Sequence, residues 1–181
     1  MSHKSYAGRG PQAARAPLGV GAAQVVFAPR TAGAPQVVLL DARAGGLDEA
    51  GLRARARAVA AADAGRRSSR SYRFPLALVA WSDGPIGVDI ERVESCDAAF
   101  ADSIRTPSER MAGWPEGDSD RFFTSLWSSK EALAKALGDA LAYDPRRLEG
   151  PGAWPDGRSG PWHARALELG PEHVGWVCWR R

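Results

Sequence analysis

Lysine is nearly absent from this chain of 181 residues. Only Lys4, Lys130 and Lys135 occur among 24 basic residues, so the other 21 are arginines. A lysine is therefore an unusual choice here, and two of the three stand five residues apart. Cysteine is scarce too. Cys96 and Cys178 are too distant in sequence to form a metal-binding spacing. They read as reduced thiols of a cytoplasmic protein, with a disulfide as the alternative. The three histidines, His3, His163 and His173, have no motif around them, so a surface or structural role is expected of each. Charge of one sign is also lacking. A formal net charge of +3 is too small for bulk binding of nucleic acid, and suits a small polyanion or an acidic partner. No apolar run approaches the length of a membrane span. Residues 18–28 follow Lys4, Arg9 and Arg15 and faintly mimic a signal peptide. Interruptions by glycine and glutamine weaken that, and 25–28 reads better as a strand. What remains is ordinary globular composition, 44% hydrophobic and 25% charged, enough for one domain or two small fused halves.

Punctuation divides the chain. Residues 1–19 are rich in Gly, Pro, Ala and Arg and read as a flexible leader. An N-terminal half is expected over 20–84 and a C-terminal half over 85–181. Short strands are expected at 25–27 and 37–40, and a helix over 48–62 with Leu52 and Val59 on its inner face. An arginine-rich connector with Arg66, Arg67, Arg70 and Arg73 follows. Residues 76–81 form a nearly continuous apolar run, as in a strand buried on both faces. After a Ser-Asp-Gly-Pro turn, 86–91 alternates, with Ile86, Val88 and Ile90 on one face and Gly87, Asp89 and Glu91 on the other. The two runs read as a hairpin. A short helix is expected near 98–104, and the strongest helix over 120–137, capped near Asp118 to Asp120 and ended by Gly138. Residues 145–161 read as loop. Strands at 162–169 and 174–179 close the chain.

The strongest helix breaks its own pattern. Phe122, Leu126, Leu133 and Leu137 form one apolar row, and Phe123, Trp127 and Ala134 a second. Lys130 fits the first row and Glu131 the second, so two charges fall on the face that should point inward. Such violations concentrate at functional sites. Lys135, one turn beyond Glu131, reaches the same locus. On the helix alone, a buried Glu131–Lys135 ion pair explains this as well as a functional site does. On the strand, Asp89 and Glu91 project from one face about 7 Å apart, and two such carboxylates need a cation or an arginine to neutralise them. With Glu131 they make an all-oxygen set suited to Mg²⁺ or Mn²⁺, with the lysines left for phosphate oxygens.

Gly87-Val-Asp89-Ile-Glu91, followed by Trp127-Ser-Ser-Lys130-Glu131-Ala-Leu-Ala-Lys135, resembles the paired signature of the 4′-phosphopantetheinyl transferases. Every signature position is met, and the likeness extends from about residue 70 to the end of the chain. It favours the longer, surfactin-synthetase-type branch. The resemblance implies an α+β fold of two related α/β halves about a pseudo-twofold axis, acting as a cytoplasmic monomer. It implies transfer of the phosphopantetheine arm of coenzyme A to a serine of an acyl or peptidyl carrier protein, with release of adenosine 3′,5′-bisphosphate. It assigns Mg²⁺ (or Mn²⁺) to Asp89, Glu91 and Glu131, a further part in catalysis to Glu131, and the phosphates to Lys135 and Lys130. No nucleic acid or membrane is implied. The family's serine-histidine pair aligns with Ser71 and Tyr72. A tyrosine carries no positive charge, so Arg70 or Arg73 is the expected substitute at the coenzyme's 3′-phosphate, or else these arginines simply solvate a loop. The usual basic Gly-Lys-Pro-like segment has no clear counterpart. A diverged member that keeps the metal and binds a carrier or nucleotide without efficient transfer is therefore the alternative function. An arginine-rich nucleic-acid binder is a second rival.

Overall fold

A computed structural model describes the backbone of residues 23–27 and all of residues 34–181. The leader expected over 1–19 lies outside the described residues. The elements run β1 (Ala23–Phe27), β2 (Gln36–Asp41), α1 (Ala42–Gly45), α2 (Glu49–Ala61), β3 (Arg67–Arg73), β4 (Leu76–Ser82) and β5 (Ile86–Arg92). Then come α3 (Ala98–Ile104), α4 (Pro107–Met111), α5 (Ser119–Leu137), three single 3₁₀ turns between residues 145 and 157, β6 (Arg158–Ser159), β7 (Trp162–Leu167) and β8 (His173–Arg180).

The fold is α+β, built on two antiparallel four-stranded sheets. The first has the order β1-β2-β4-β3 and the second β5-β8-β7-β6. They pack face to face. Leu76, Leu78 and Ala80 of the first sheet meet Ile86, Val88, Ile90, Val177 and Trp179 of the second in one shared core. Each outer face carries a helix. Leu52, Ala56 and Ala60 of α2 cover Val38, Leu40, Val79 and Trp81. Ala132, Leu133 and Ala136 of α5 cover Ala164 and Cys178. β4 therefore has apolar neighbours on both sides, and all seven of its residues are buried, as its unbroken apolar run implied.

Two expectations need correction. Residues 76–91 are not a hairpin. β4 pairs with β2 and β3, β5 pairs with β8, and the chain crosses from one sheet to the other between them. The Ser-Asp-Gly-Pro turn is the same in either arrangement, but both strands are buried on two faces and neither has to pair with the other. The arginine-rich segment is not a connector either. Residues 67–73 form β3, the edge strand that hairpins onto β4. An edge strand exposes one side, so it tolerates arginine and serine where an inner strand would not.

The ends of α5 match their chemistry. The Asp118 carboxylate accepts the Arg121 N–H at 2.9 Å as N-cap, and Gly138 closes the helix at φ +85°. The apolar rows are shifted from expectation. Phe122 and Leu137 are about half exposed, whereas Phe123, Ser128, Ser129 and Lys130 are fully buried. The face against the sheet runs through Ser129, Ala132, Leu133 and Ala136, between the expected rows, and small residues there let the helix approach the sheet closely. The closest approach is at Gly87, where a Cβ would stand 1.9 Å from the Ala132 carbonyl oxygen.

Candidate functional site

The site forms where β3, the edge of one sheet, runs beside β5, the edge of the other, under α5. The Val88 N–H donates to Ser69 Oγ at 3.1 Å. One step on, Ser71 Oγ donates to Asp89 Oδ1 at 2.8 Å. A further step on, Arg73 lies 3.4 Å from Glu91 Oε2 and 3.1 Å from Glu94 Oε1. Strand alternation puts Ser69, Ser71 and Arg73 on this face together.

Asp89 is the centre. It is 3% exposed. Its Oδ1 accepts Ser71 Oγ and, at 2.6 Å, Lys135 Nζ. Its Oδ2 is buried with no partner among the described residues. Lys135 also donates to the Val88 carbonyl and to Ser71 Oγ, both at 3.3 Å. The ion pair that was the alternative reading of the helix, Glu131–Lys135, does not form; Lys135 pairs with Asp89, because α5 lies over β5 and brings the ammonium onto the strand carboxylate. Glu131 instead accepts the Tyr143 hydroxyl at 2.7 Å.

The electrostatics show carboxylates sharing a poorly solvated space. Burial, then repulsion from Asp89, pushes the Glu91 carboxyl up from its ordinary 4.5 to about 6, while Arg73 and the Trp127 indole pull the other way. Burial raises Glu131 too, with the Tyr143 hydroxyl opposing and Asp89 adding to the rise. Among the described residues, no three carboxylate, imidazole or thiol groups already close on a single point as a metal cage. Lys135 and Arg73 supply the neutralising charge in this arrangement. The donor set nevertheless fits a hard divalent cation. It is all oxygen, two of its members are destabilised as anions, and Asp89 Oδ2 is a buried acceptor with no donor among the described residues.

Other expected residues lie elsewhere. Lys130 was expected at the phosphates, but it is fully buried and all three of its N–H bonds are spent. It donates to Glu109 Oε2 at 2.5 Å, the Ile104 carbonyl at 2.6 Å and the Pro145 carbonyl at 2.9 Å. Burial lowers its pKa and Glu109 opposes that. Tyr72 is on the opposite face of β3 from Ser71. Its ring packs in the α2 core under the Arg53 guanidinium, 4.9 Å from the ring centre. Arg70 shares that outward register and is exposed, so of the two arginines only Arg73 is at the site. Glu109, which could have passed for a surface residue, is the partner of Lys130. It also accepts the Thr106 N–H at 2.8 Å and the Gly150 N–H at 2.7 Å. Thr106-Pro-Ser-Glu109 is a capping box, and that four-residue pattern was the available signal for it. Tyr143, the donor to Glu131, gave no signal in the loop composition around it. A groove of about 460 Å³ opens beside Glu91, walled by Arg73, Arg92, Phe100 and Trp127 among others.

The segment that carries β5 and α5 also carries a likeness to known proteins. Residues 85–157 match the model of the 4′-phosphopantetheinyl transferase superfamily. The match covers less than half of the chain. A 63-residue stretch is 33% identical to a protein named 4′-phosphopantetheinyl transferase psf-1 from Bacillus pumilus. It covers 34% of this chain and 27% of that relative, so the likeness spans about a quarter of the relative's length. The matched segment contains Asp89, Glu91, Lys130, Glu131 and Lys135. Ser71 and Arg73 lie outside it, on the other sheet, and reach its carboxylates only through the fold. No described helix is long and apolar enough to cross a membrane.

Proposed function

We propose that this protein is a Mg²⁺-dependent 4′-phosphopantetheinyl transferase. It would move the phosphopantetheine arm of coenzyme A onto a serine of an apo acyl or peptidyl carrier protein and release adenosine 3′,5′-bisphosphate. The observation that carries this reading is Asp89, a buried carboxylate whose Oδ2 has no partner among the described residues, set between Lys135 and two further carboxylates whose burial favours neutralisation. Asp89, Glu91 and Glu131 would hold the cation. When bound, the cation supplies the charge neutralisation that phosphoryl transfer needs.

The protein's own groups do the rest. Lys135 donates to phosphate oxygens, and Ser71 keeps the Asp89 carboxylate oriented while it does so. Glu131, half-buried and raised in pKa, is suited to take the proton of the incoming serine hydroxyl. Arg73 offers its guanidinium to a substrate phosphate at the mouth of the groove. Lys130 serves structurally, tying α5 to α4 and to the loop at Pro145. Residues 20–84 and 85–181 act as the two halves, and one chain supplies both, which supports a monomer. The free Cys96 and Cys178 suit the cytoplasm.

Tyr72 favours one alternative, a diverged member that binds without efficient transfer, because its ring points to α2 and gives the coenzyme no contact at that position. Incubation with coenzyme A, Mg²⁺ and a panel of apo carrier proteins separates the two. Formation of adenosine 3′,5′-bisphosphate that requires both carrier and Mg²⁺ supports transfer. Its absence across a broad panel refutes transfer.

A further inference from the structure

Tyr143 lies in the loop after α5, outside both halves of the motif, yet its hydroxyl donates to Glu131 Oε1 at 2.7 Å. The tyrosine is half-buried, and its ring stacks on Trp127 with centroids 6.5 Å apart and planes 28° apart. Trp127 is itself braced edge-on by Phe100, with centroids 6.2 Å apart, and lines the same groove as Glu91. Glu131 therefore has an aromatic donor whose ring is held by a second aromatic at the wall of that groove.

We propose that Tyr143 is a positioning residue. It pins Oε1 of Glu131 and leaves the second oxygen for the cation, and its stack on Trp127 holds the phenol ring in place to do so. This rests on the metal-dependent reading above. A carboxylate free to rotate must be ordered when the ion binds, whereas one held by an outer donor has already lost that freedom. Outer donors of this kind are worth about 10- to 100-fold in metal affinity.

The test compares the full-length protein with Tyr143→Phe, which keeps the ring and its stack and removes only the hydroxyl. Mn²⁺ alone is titrated and free ion is read by electron paramagnetic resonance. The Mn²⁺ Kd is expected to weaken about tenfold with an unchanged melting temperature. Equal affinity in two folded proteins overturns the role of Tyr143 and leaves the metal reading standing. A wild-type protein that binds no Mn²⁺ overturns both. If Tyr143→Phe does not fold, the wild type carries the test. The chain has three tyrosines, Tyr6, Tyr72 and Tyr143. Fluorotyrosine labelling then gives three ¹⁹F resonances, assigned by Tyr6→Phe and Tyr72→Phe. Saturating Mg²⁺ is expected to shift the Tyr143 resonance and leave that of Tyr72 in place. An unmoved Tyr143 resonance overturns the proposal.

Discussion

Gly87→Ala is the smallest change that should dismantle the site without touching any group in it. Its added Cβ would stand 1.9 Å from the Ala132 carbonyl oxygen, 2.5 Å from the Ala136 nitrogen and 2.9 Å from Lys135 Cβ, whereas ordinary contact begins at 3.4 Å. The worst shortfall is about 1.5 Å, and two of the three obstructing atoms are backbone, so no side chain can rotate away. The helix α5 must retreat from β5 by on the order of that distance, carrying Glu131 and Lys135 with it. The Lys135–Asp89 contact, now 2.6 Å, would then leave hydrogen-bonding range. Overpacking of this kind costs about 1–3 kcal/mol. For a chain of this length that lowers the melting temperature by about 2–4 °C per kcal/mol. A misplacement of about 1 Å at reacting groups costs on the order of 10²-fold in rate. Urea melts followed by tryptophan fluorescence read the first effect, and single-turnover transfer to an apo carrier reads the second. A Gly87→Ala protein with wild-type stability and rate would refute the claim that α5 rests on the β5 backbone at this residue.

Further expected outcomes follow from individual groups. Lys130→Met leaves Glu109, whose side chain is only 12% exposed, without its cation, and urea unfolding should show a loss of about 3 kcal/mol. Asp89→Asn should remove saturable Mg²⁺ dependence from any residual turnover; an unchanged Mg²⁺ titration would contradict the assignment. The Glu91 carboxyl has a folded pKa of about 6 against an ordinary 4.5, so the folded protein holds its proton more tightly. The stabilisation this gives is complete below pH 4.5 and is lost as pH rises through 6, a change of about 2 kcal/mol at most in metal-free protein. Glu91→Gln should therefore flatten stability between those pH values in chemical denaturation without metal. Equal slopes in the two proteins would contradict the raised pKa.

The sequence made part of this legible, for physical reasons. Period-two alternation over Ile86 to Glu91 put Asp89 and Glu91 on one face correctly, because a strand's side chains alternate whatever it pairs with. The α5 limits were legible because Asp118 and Gly138 have local cap chemistry. Partners were not, because they depend on which strands are neighbours. The β4–β5 turn is compatible with a hairpin or a crossing, and only burial on both faces of both strands selects the crossing. Lys130 and Lys135 share a helix and a motif, but their distances along the helix send one to Glu109 and the other to Asp89. Strand parity would have separated Tyr72 from Ser71 had the 67–73 segment been read as a strand; its arginines hid that.

The most direct measurement is the intact mass of an apo carrier protein after incubation with coenzyme A and either the wild-type chain or Glu131→Gln, with Mg²⁺ or with chelator. The variant loses one charge and keeps the side-chain shape, so its circular dichroism and melting temperature should match the wild type. The expected result is a gain of one phosphopantetheine with wild type and Mg²⁺ alone. Near-normal gain with folded Glu131→Gln, or in the presence of chelator, would contradict a transferase centred on these carboxylates and a divalent cation.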